Sequence, residues 1–592
     1  MARPAVRPRG MAPRWTPIGK AVRMDLRRGL GEAPTATGMT NLAQYFRQHL
    51  ATPDKVLYRQ YTRERWRDVN VAELGDRIGR WQAALRSLGL APGERVALCL
   101  RNSVDWVAVD LAALGLGLVI VPLYVDDNPD NITWCAINAE ARMLLVESSR
   151  KASELVQTGA TLPPVYVLDP DAGDARPSAA TLLGAAASTP VQFVDLDDNA
   201  LATICYTSGT SGRPKGVMLS HANIVANVES CRATDMARSD DVFLSILPLS
   251  HMFERTGGYY LPLAIGAKVV YARGVAQIAD DLVTQKPTAM FAVPRIFEKF
   301  QSRIEESLAA SPLKQRLFEQ CVARGWRSAR GKATPLDRLL TPLLRKVVAT
   351  PVLARLGGRM RLTVVGGAPL DPRIAHTFIG LGLAMLQGYG MTEASPVLSV
   401  NRLSDNDPES VGSPLPGVDV RLGELGELLA RGANVMLGYW NNDAATRAAV
   451  DSERWLHTGD IAELHDGKIY IRGRLKDIIV MSNGEKLSPQ DVEFALSRDP
   501  IFGQVMLVGE GRPFLTLLAV TDEPDEQKLI SRANDQLKEF PRWARIRRVI
   551  AEREPWSIGN GLLTPTLKLK RPLVADRFKA AIDAVYAGKC AA

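Results

Sequence analysis

The chain has 592 residues, 46% hydrophobic and 23% charged, an ordinary globular composition with room for several domains. Its net charge is +9, but residues 1–30 hold eight cations (Arg3, Arg7, Arg9, Arg14, Lys20, Arg23, Arg27 and Arg28) against Asp25, a net of +7. The rest is near neutral, which argues against a nucleic-acid role; scattered cysteines without a CxxC pair and scattered histidines argue against structural zinc and for a reduced, cytoplasmic setting.

Residues 1–39 are rich in Pro and Arg without an apolar core, and they read as a disordered basic tail. No secretory apolar stretch is visible there, and Met24 or Met39 is an alternative start. From residue 40 helical and strand patterns alternate. Val71 to Leu88 is amphipathic, with Leu74, Ile78, Trp81 and Leu85 on one face. The turn Pro92-Gly93-Glu94-Arg95 precedes an apolar strand, Val96 to Leu100. The apolar stretch Trp106–Val125 is broken by Asp110, Gly115, Gly117 and Pro122, which fits a buried helix and strand better than a membrane span. This βαβ alternation predicts a largely parallel, covered sheet. The span 169–190 reads as an exposed connection.

Leu201–Cys205 is a short apolar run that reads as a buried strand, and it feeds Tyr206-Thr207-Ser208-Gly209-Thr210-Ser211-Gly212-Arg213-Pro214-Lys215-Gly216. Such a loop can aim N–H groups, hydroxyls and a lysine at phosphate oxygens. It is not a Walker A motif, because Gly216 follows Lys215. Ser220 is the predicted N-cap of the next helix, whose apolar face is Ile224, Val225, Val228 and Cys231.

Residues 298–350 form a long helical segment with eleven cations against five acids. Its end, Leu339 to Val348, mixes leucines with cations, so a solvated helical face and a membrane-surface patch are both open. Leu362–Val365 is a buried strand ending in Gly366-Gly367-Ala368-Pro369, and Ala384–Leu386 is another ending in Gln387-Gly388-Tyr389-Gly390-Met391-Thr392-Glu393. Three strand ends, at residues 206, 366 and 387, thus carry Gly-rich polar loops, and ligands of open α/β sheets sit at such ends. Further on, Asp466-Gly467 marks a hairpin between Ile461–Leu464 and Lys468–Ile471. An α+β module begins near Asp477, with Ser488-Pro489 opening a helix and Val505–Gly509 pairing with Phe514–Val520.

Taken in order, these stretches resemble the adenylate-forming (AMP-binding) superfamily of acyl-CoA synthetases, peptide-synthetase adenylation domains and firefly luciferase. The resemblance covers about residues 40–590. It is strongest to long-chain fatty-acid–CoA ligases, through Pro248-Leu249-Ser250-His251-Met252-Phe253-Glu254-Arg255, the helical segment 298–350 and Thr564-Pro565-Thr566-Leu567-Lys568-Leu569-Lys570-Arg571. It implies an α/β fold with a large N-terminal domain, sheets flanked by helices plus a distorted β-barrel, at 40–473. A hinge at 474–476 and a small mobile α+β domain at 477–592 would follow.

The implied reaction joins a fatty acid to ATP as acyl-AMP and then to coenzyme A. Thr207, Ser208, Gly209, Thr210, Ser211, Gly212 and Lys215 match the pyrophosphate loop, which moves to bind and then expel pyrophosphate. Glu393, with Thr207, matches the Mg²⁺ site, and Thr392 a phosphate contact. Gly367, Ala368, Pro369, Gln387, Gly388, Tyr389 and Gly390 match the adenine slot, where Tyr389 can stack on the purine. Asp460 and Arg474 match the ribose contacts. His251 matches the position near the carboxylate and thiol pocket. Lys568 matches the lysine of the first step, although Leu567 replaces the usual glycine and Lys570 lies close by. Gly257 and Gly258 are expected to leave room for an acyl chain. A fatty-acyl-AMP ligase serving an acyl carrier protein and a non-catalytic nucleotide-binding regulator are the alternatives. A homodimer and a peripheral place on the inner face of the cell membrane are left open.

Overall fold

The computed structural model describes residues 38–186, 188–197, 199–207, 213–564 and 568–587. The basic tail up to residue 37, the loop residues Ser208, Gly209, Thr210, Ser211 and Gly212, and Pro565, Thr566 and Leu567 lie outside the described residues.

The apolar runs become the inner strands of two sheets. One has seven strands in the order Gly438–Tyr439, Lys215–Ser220, Leu201–Thr207, Val119–Pro122, Arg95–Cys99, Ala141–Ser148 and Val165–Asp169. From Leu201–Thr207 onward its pairs are parallel, as the βαβ reading predicts. The other has nine strands: Ser413–Pro414, Val397–Val400, Met385–Gly390, Leu362–Val365, Ala289–Ala292, Val242–Ser245, Lys268–Tyr271, Val56–Thr62 and Arg65–Asn70. Its centre is parallel and its ends are antiparallel.

A single apolar cluster draws on both sheets and holds the helix Val104–Gly115, buried at every position but Asp105. Ser103 caps that helix by accepting from the Trp106 N–H. Asp110 would be intolerable there alone. It is met by Arg255 at 2.5 Å and by the hydroxyls of Tyr259 and Tyr260, each at 3.0 Å. These three partners lie on a π-helical stretch, Arg255–Tyr260. Arg255 also donates to Thr203 in the strand Leu201–Thr207 at 2.8 Å. The ion pair thus joins the buried helix, the π-helical stretch and the strand that feeds the phosphate loop.

Three local readings change. The described ends of the stretch 206–216 are paired antiparallel strands, where a strand leading by a loop to a helix is expected: Tyr206 pairs with Gly216 and Thr207 with Lys215. Gln387 to Gly390 likewise continue a strand, because Val397–Val400 returns antiparallel beside them. The 169–190 connection contains a short helix, Ala179–Ala185. The helix after Ser220 is as expected, His221–Arg232, with a reciprocal Ser220–Asn223 capping box.

Residues 456–474 belong to a four-stranded antiparallel sheet with Val418–Leu422 and Glu427–Gly432, where the distorted barrel is expected. Asp466 and Gly467 turn its last hairpin, both at positive φ. Leu475–Asp477 is a single 3₁₀ turn leading out of it. Beyond lies a three-stranded sheet, Gln504–Val508, Leu515–Val520 and Ile546–Glu552, with apolar cores of its own on both faces. Ser488 stands at the N-cap of Pro489–Leu496, but its hydroxyl makes no capping bond.

Candidate active site

Strand ends, one hairpin and one loop of the C-terminal module bring their polar residues into one electrostatic neighbourhood. Lys215 opens the strand Lys215–Ser220, opposite Thr207, the last described residue before the phosphate loop. Its ammonium lies 5.1 Å from the centre of the Tyr439 ring. Tyr439 is held there by the short edge strand Gly438–Tyr439, which pairs with Val217 and Met218. The Tyr439 hydroxyl donates to Glu393 Oε1 at 2.8 Å. Lys215, Tyr439 and Glu393 therefore stand in line from the phosphate hairpin to the loop after Gly390. Tyr439 is invisible to motif reading, since a two-residue edge strand has no periodicity.

Glu393 sits in the short turn Thr392–Ala394. The approach to it is tight: a Cβ on Gly390 would lie 2.0 Å from the Pro396 carbonyl oxygen, so only glycine fits. Oε1 of Glu393 is engaged by Tyr439, which leaves Oε2 for a ligand. No group of three or more His, Cys, Asp or Glu residues that could cage a metal exists among the described residues. One carboxylate suits Mg²⁺ that arrives with phosphates and keeps its waters, so the donor set fits a nucleotide-borne ion and not a resident one.

Asp460, in the strand Leu456–His465, pairs in register with Arg474 of Lys468–Arg474. Its two oxygens are shared between neighbours. Oδ1 accepts from Arg474 Nε at 3.0 Å and Oδ2 from the Tyr389 hydroxyl at 2.5 Å. Burial, then the Asp460 carboxylate, push the Tyr389 hydroxyl well above its ordinary pKa, so it stays a donor. Each oxygen keeps a lone pair for a ribose hydroxyl. Glu427 supports the turn before Asp460: Oε1 accepts from the Gly459 N–H at 2.9 Å, and Oε2 lies 2.9 Å from His457 Nδ1. Gln387 and Gly388 lie in the adjoining strand, and Gly367, Ala368 and Pro369 form an exposed turn after Leu362–Val365.

His251 Nδ1 accepts the Phe253 N–H at 3.1 Å, which leaves the ring proton on Nε2. Burial, then the positive charge of Lys568, lower its pKa to about 4, so the imidazole is neutral near pH 7. Tyr124 meets it edge-on, with ring centres 6.5 Å apart.

Lys568 keeps an exposed surface although protein crowds around it. The lost solvation, then Arg474, lower its pKa; Asp460 and Glu393 pull the other way. It thus shares one electrostatic neighbourhood with Arg474, Asp460, Glu393 and His251. Its backbone is pinned to Thr564 in both directions, at 2.8 and 3.0 Å. Arg571 braces the same loop through Glu493, at 2.7 and 2.8 Å, and the Leu507 carbonyl. Lys570, the sequence neighbour, stands at the N-cap of Arg571–Arg577, and its side chain makes no capping bond.

The expected room over Gly257 and Gly258 is not open. A Cβ on Gly257 would meet the Phe291 ring at 2.7 Å, and the Glu254 carboxyl fills the space over Gly258. The glycines accommodate these two side chains.

Comparisons with known proteins identify the family and the fold. The family described as AMP-binding enzyme matches residues 45–440, and its C-terminal domain matches 476–589. Long-chain-fatty-acid–CoA ligase FadD15 of Mycobacterium bovis is 30% identical over 92% of this chain and 96% of its own length. A chloroplastic long-chain-fatty-acid–[acyl-carrier-protein] ligase of Arabidopsis thaliana, AEE15, is 28% identical over 87% of this chain and 82% of its own. Among solved structures, the A domain of a carboxylic acid reductase from Segniliparus rugosus, in complex with AMP and a co-purified carboxylic acid, superposes with a TM-score of 0.74 at 21% identity. That match covers 94% of this chain and 95% of that one.

Proposed function

The chain belongs to the AMP-binding enzyme family, and on that premise we propose that it activates a long-chain fatty acid with ATP and transfers the acyl group to coenzyme A. The observation that carries the reading is that Asp460, held by Arg474 and Tyr389, and Glu393, held by Tyr439, share one electrostatic neighbourhood with Lys568 and His251. A carboxylate oxygen attacks the α-phosphorus, and the bond to pyrophosphate breaks. Two anions must meet, so the step needs cations where charge accumulates. Lys568 bridges the carboxylate and the α-phosphate, and it binds the transition state more tightly than the ground state. Lys215 neutralises the departing phosphates beside Thr207.

Asp460 and Arg474 orient the ribose, while Tyr389, Gln387, Gly388, Gly390, Gly367, Ala368 and Pro369 shape the adenine slot. Thr392 contacts phosphate. Glu393, with Thr207, would hold Mg²⁺, and the ion would supply charge neutralisation on the phosphates. In the second step the coenzyme A thiol attacks the acyl carbon and AMP leaves, with His251 Nε2–H beside the reacting carbonyl. Lys568 must first withdraw, by rotation of residues 477–592 about the hinge at 474–476 against the large domain of 40–473. The enzyme works in the cytoplasm, and its contact with a membrane is peripheral. Among the described residues no helix is long and apolar enough to cross a membrane.

The relative named for acyl-carrier-protein transfer makes that acceptor the competing one. The test is AMP release with acids from acetate to oleate, offered with coenzyme A or with acyl carrier protein. Release that requires both coenzyme A and a long-chain acid, with kcat/KM rising along the series, supports the reading. Release with carrier protein alone rejects it.

A further inference from the structure

Large apolar side chains that remain exposed are concentrated in one place. Among the described residues fifteen qualify, and six of them (Leu313, Leu317, Leu336, Leu339, Leu343 and Val347) fall within a single helical excursion. That excursion connects the neighbouring parallel strands Ala289–Ala292 and Leu362–Val365. It comprises the helices Pro294–Ala309, Pro312–Ala329 and Pro335–Leu344, the π-helical Arg345–Ala349, and Thr350–Ala354.

The helix Pro335–Leu344 is inverted in its amphipathicity. Its protein-facing side carries Asp337, whose side chain is fully buried and gripped by Arg324 at 2.9 Å and Arg327 at 2.6 Å. Asp337 also closes a capping box with Thr334. With the polar side locked inward, Leu336, Leu339, Leu343 and Val347 face out, 54%, 73%, 61% and 60% exposed. Their spacing keeps them on one stripe. Pro312–Ala329 lies alongside and antiparallel, since Arg327 meets Asp337 while Cys321 reaches the Ala349 backbone. Leu313 and Leu317 therefore belong to the end that adjoins Val347.

The stripe is bordered by Lys314, Arg316, Arg338 and Lys346, all exposed and without an ion pair among the described residues. Asp337 is the one carboxylate of residues 335–349. A stripe of leucines rimmed by free cations is complementary to a surface that is apolar below and anionic above. A second copy of the chain would bring the same cations face to face across a two-fold axis.

We propose that this face docks on an anionic lipid bilayer, with the leucine stripe at the acyl boundary and the four cations at the headgroups. The excursion starts at Pro294, one residue past Val293, whose side chain lies 3.7 Å from the Cβ position of Gly367 in the candidate site. Delivery of a bilayer-dissolved acid to that site rests on the function proposed above; the docking does not.

Full-length protein is sedimented with phosphatidylcholine vesicles, with and without phosphatidylglycerol, alongside Leu339→Ser/Leu343→Ser and Arg338→Glu/Lys346→Glu variants. The expected result is binding to the anionic vesicles alone, weakened by salt and reduced at least about tenfold in each variant. AMP release in detergent, with no vesicles, should be unchanged in both variants. Three results would overturn the proposal: no wild-type binding, undiminished binding by the leucine variant (which would assign attachment to the basic tail), or a dimer in solution that the leucine variant dissociates. Docking without ligase activity would leave this face standing and remove the proposed function.

Discussion

The Tyr439 hydroxyl donates to Glu393 Oε1 at 2.8 Å, and the same ring lies beneath the Lys215 ammonium. One aromatic side chain therefore orients the sole carboxylate assigned to Mg²⁺ and seats the lysine assigned to the departing phosphates. A hydrogen bond to a charged acceptor contributes about 1.5–3 kcal/mol. Tyr439→Phe keeps the ring under Lys215 and frees Glu393 to rotate. We expect it to lower kcat/KM for MgATP by about tenfold or more and to raise the Mg²⁺ needed for half-maximal pyrophosphate release. Tyr439→Leu should lose more, because the ring also goes. An unchanged Mg²⁺ titration in Tyr439→Phe would deny the hydroxyl this role.

Asp110 and Arg255 form a fully buried ion pair at 2.5 Å between two helical layers of the core. Removing one partner of such a pair strands the other charge and costs about 3–5 kcal/mol. Asp110→Ala is expected to lose that much in urea unfolding. Asp110→Leu/Arg255→Met should recover only part of it, since the charge desolvation is gone but the buried Tyr259 and Tyr260 hydroxyls lose their acceptor. The double variant should still bind nucleotide more weakly than wild type, because Arg255 also holds Thr203 in the strand before the phosphate loop.

Glu254 is buried, and Oε2 has no hydrogen-bond partner among the described residues. Burial raises its pKa to about 8, against hydrogen bonds from Ser245 and the Leu247 backbone that pull it down. In the unfolded chain the carboxyl ionises near its ordinary value of about 4.3, so from there to about pH 8 the folded state binds the extra proton. Stability must therefore fall as pH rises through that window. Glu254→Gln has no such proton to lose. Its melting temperature relative to wild type should rise steadily between pH 5 and about pH 8, and a constant difference would show that Glu254 is ionised in the fold.

Much of this architecture was legible in the chain because short apolar runs bounded by turn residues have few alternatives. Arg95–Cys99, Leu201–Thr207 and Leu362–Val365 are strands for that reason. The polar ends of two strands were not legible. Gln387-Gly388-Tyr389-Gly390 and the Lys215 side of the phosphate hairpin are extended only because Val397–Val400 and Leu201–Thr207 pair with them, and pairing is a property of distant sequence. The same holds for Tyr439 and Glu427, which support named site residues from segments without a motif of their own. Gly257 and Gly258 show the opposite error. Small residues suggested space, but the space is taken by Phe291 and Glu254, which no local pattern could reveal.

The central claim is that Lys568 serves the first half-reaction and not the second. Its most direct test is Lys568→Ala assayed for each half separately: pyrophosphate release from ATP and fatty acid, and acyl-CoA formation from supplied acyl-AMP and coenzyme A. Loss of a point charge placed on the developing transition state is expected to slow pyrophosphate release by about a hundredfold or more. Acyl-CoA formation from the supplied adenylate should stay close to wild type. Pyrophosphate release at the wild-type rate, or equal loss in both halves, would contradict the account.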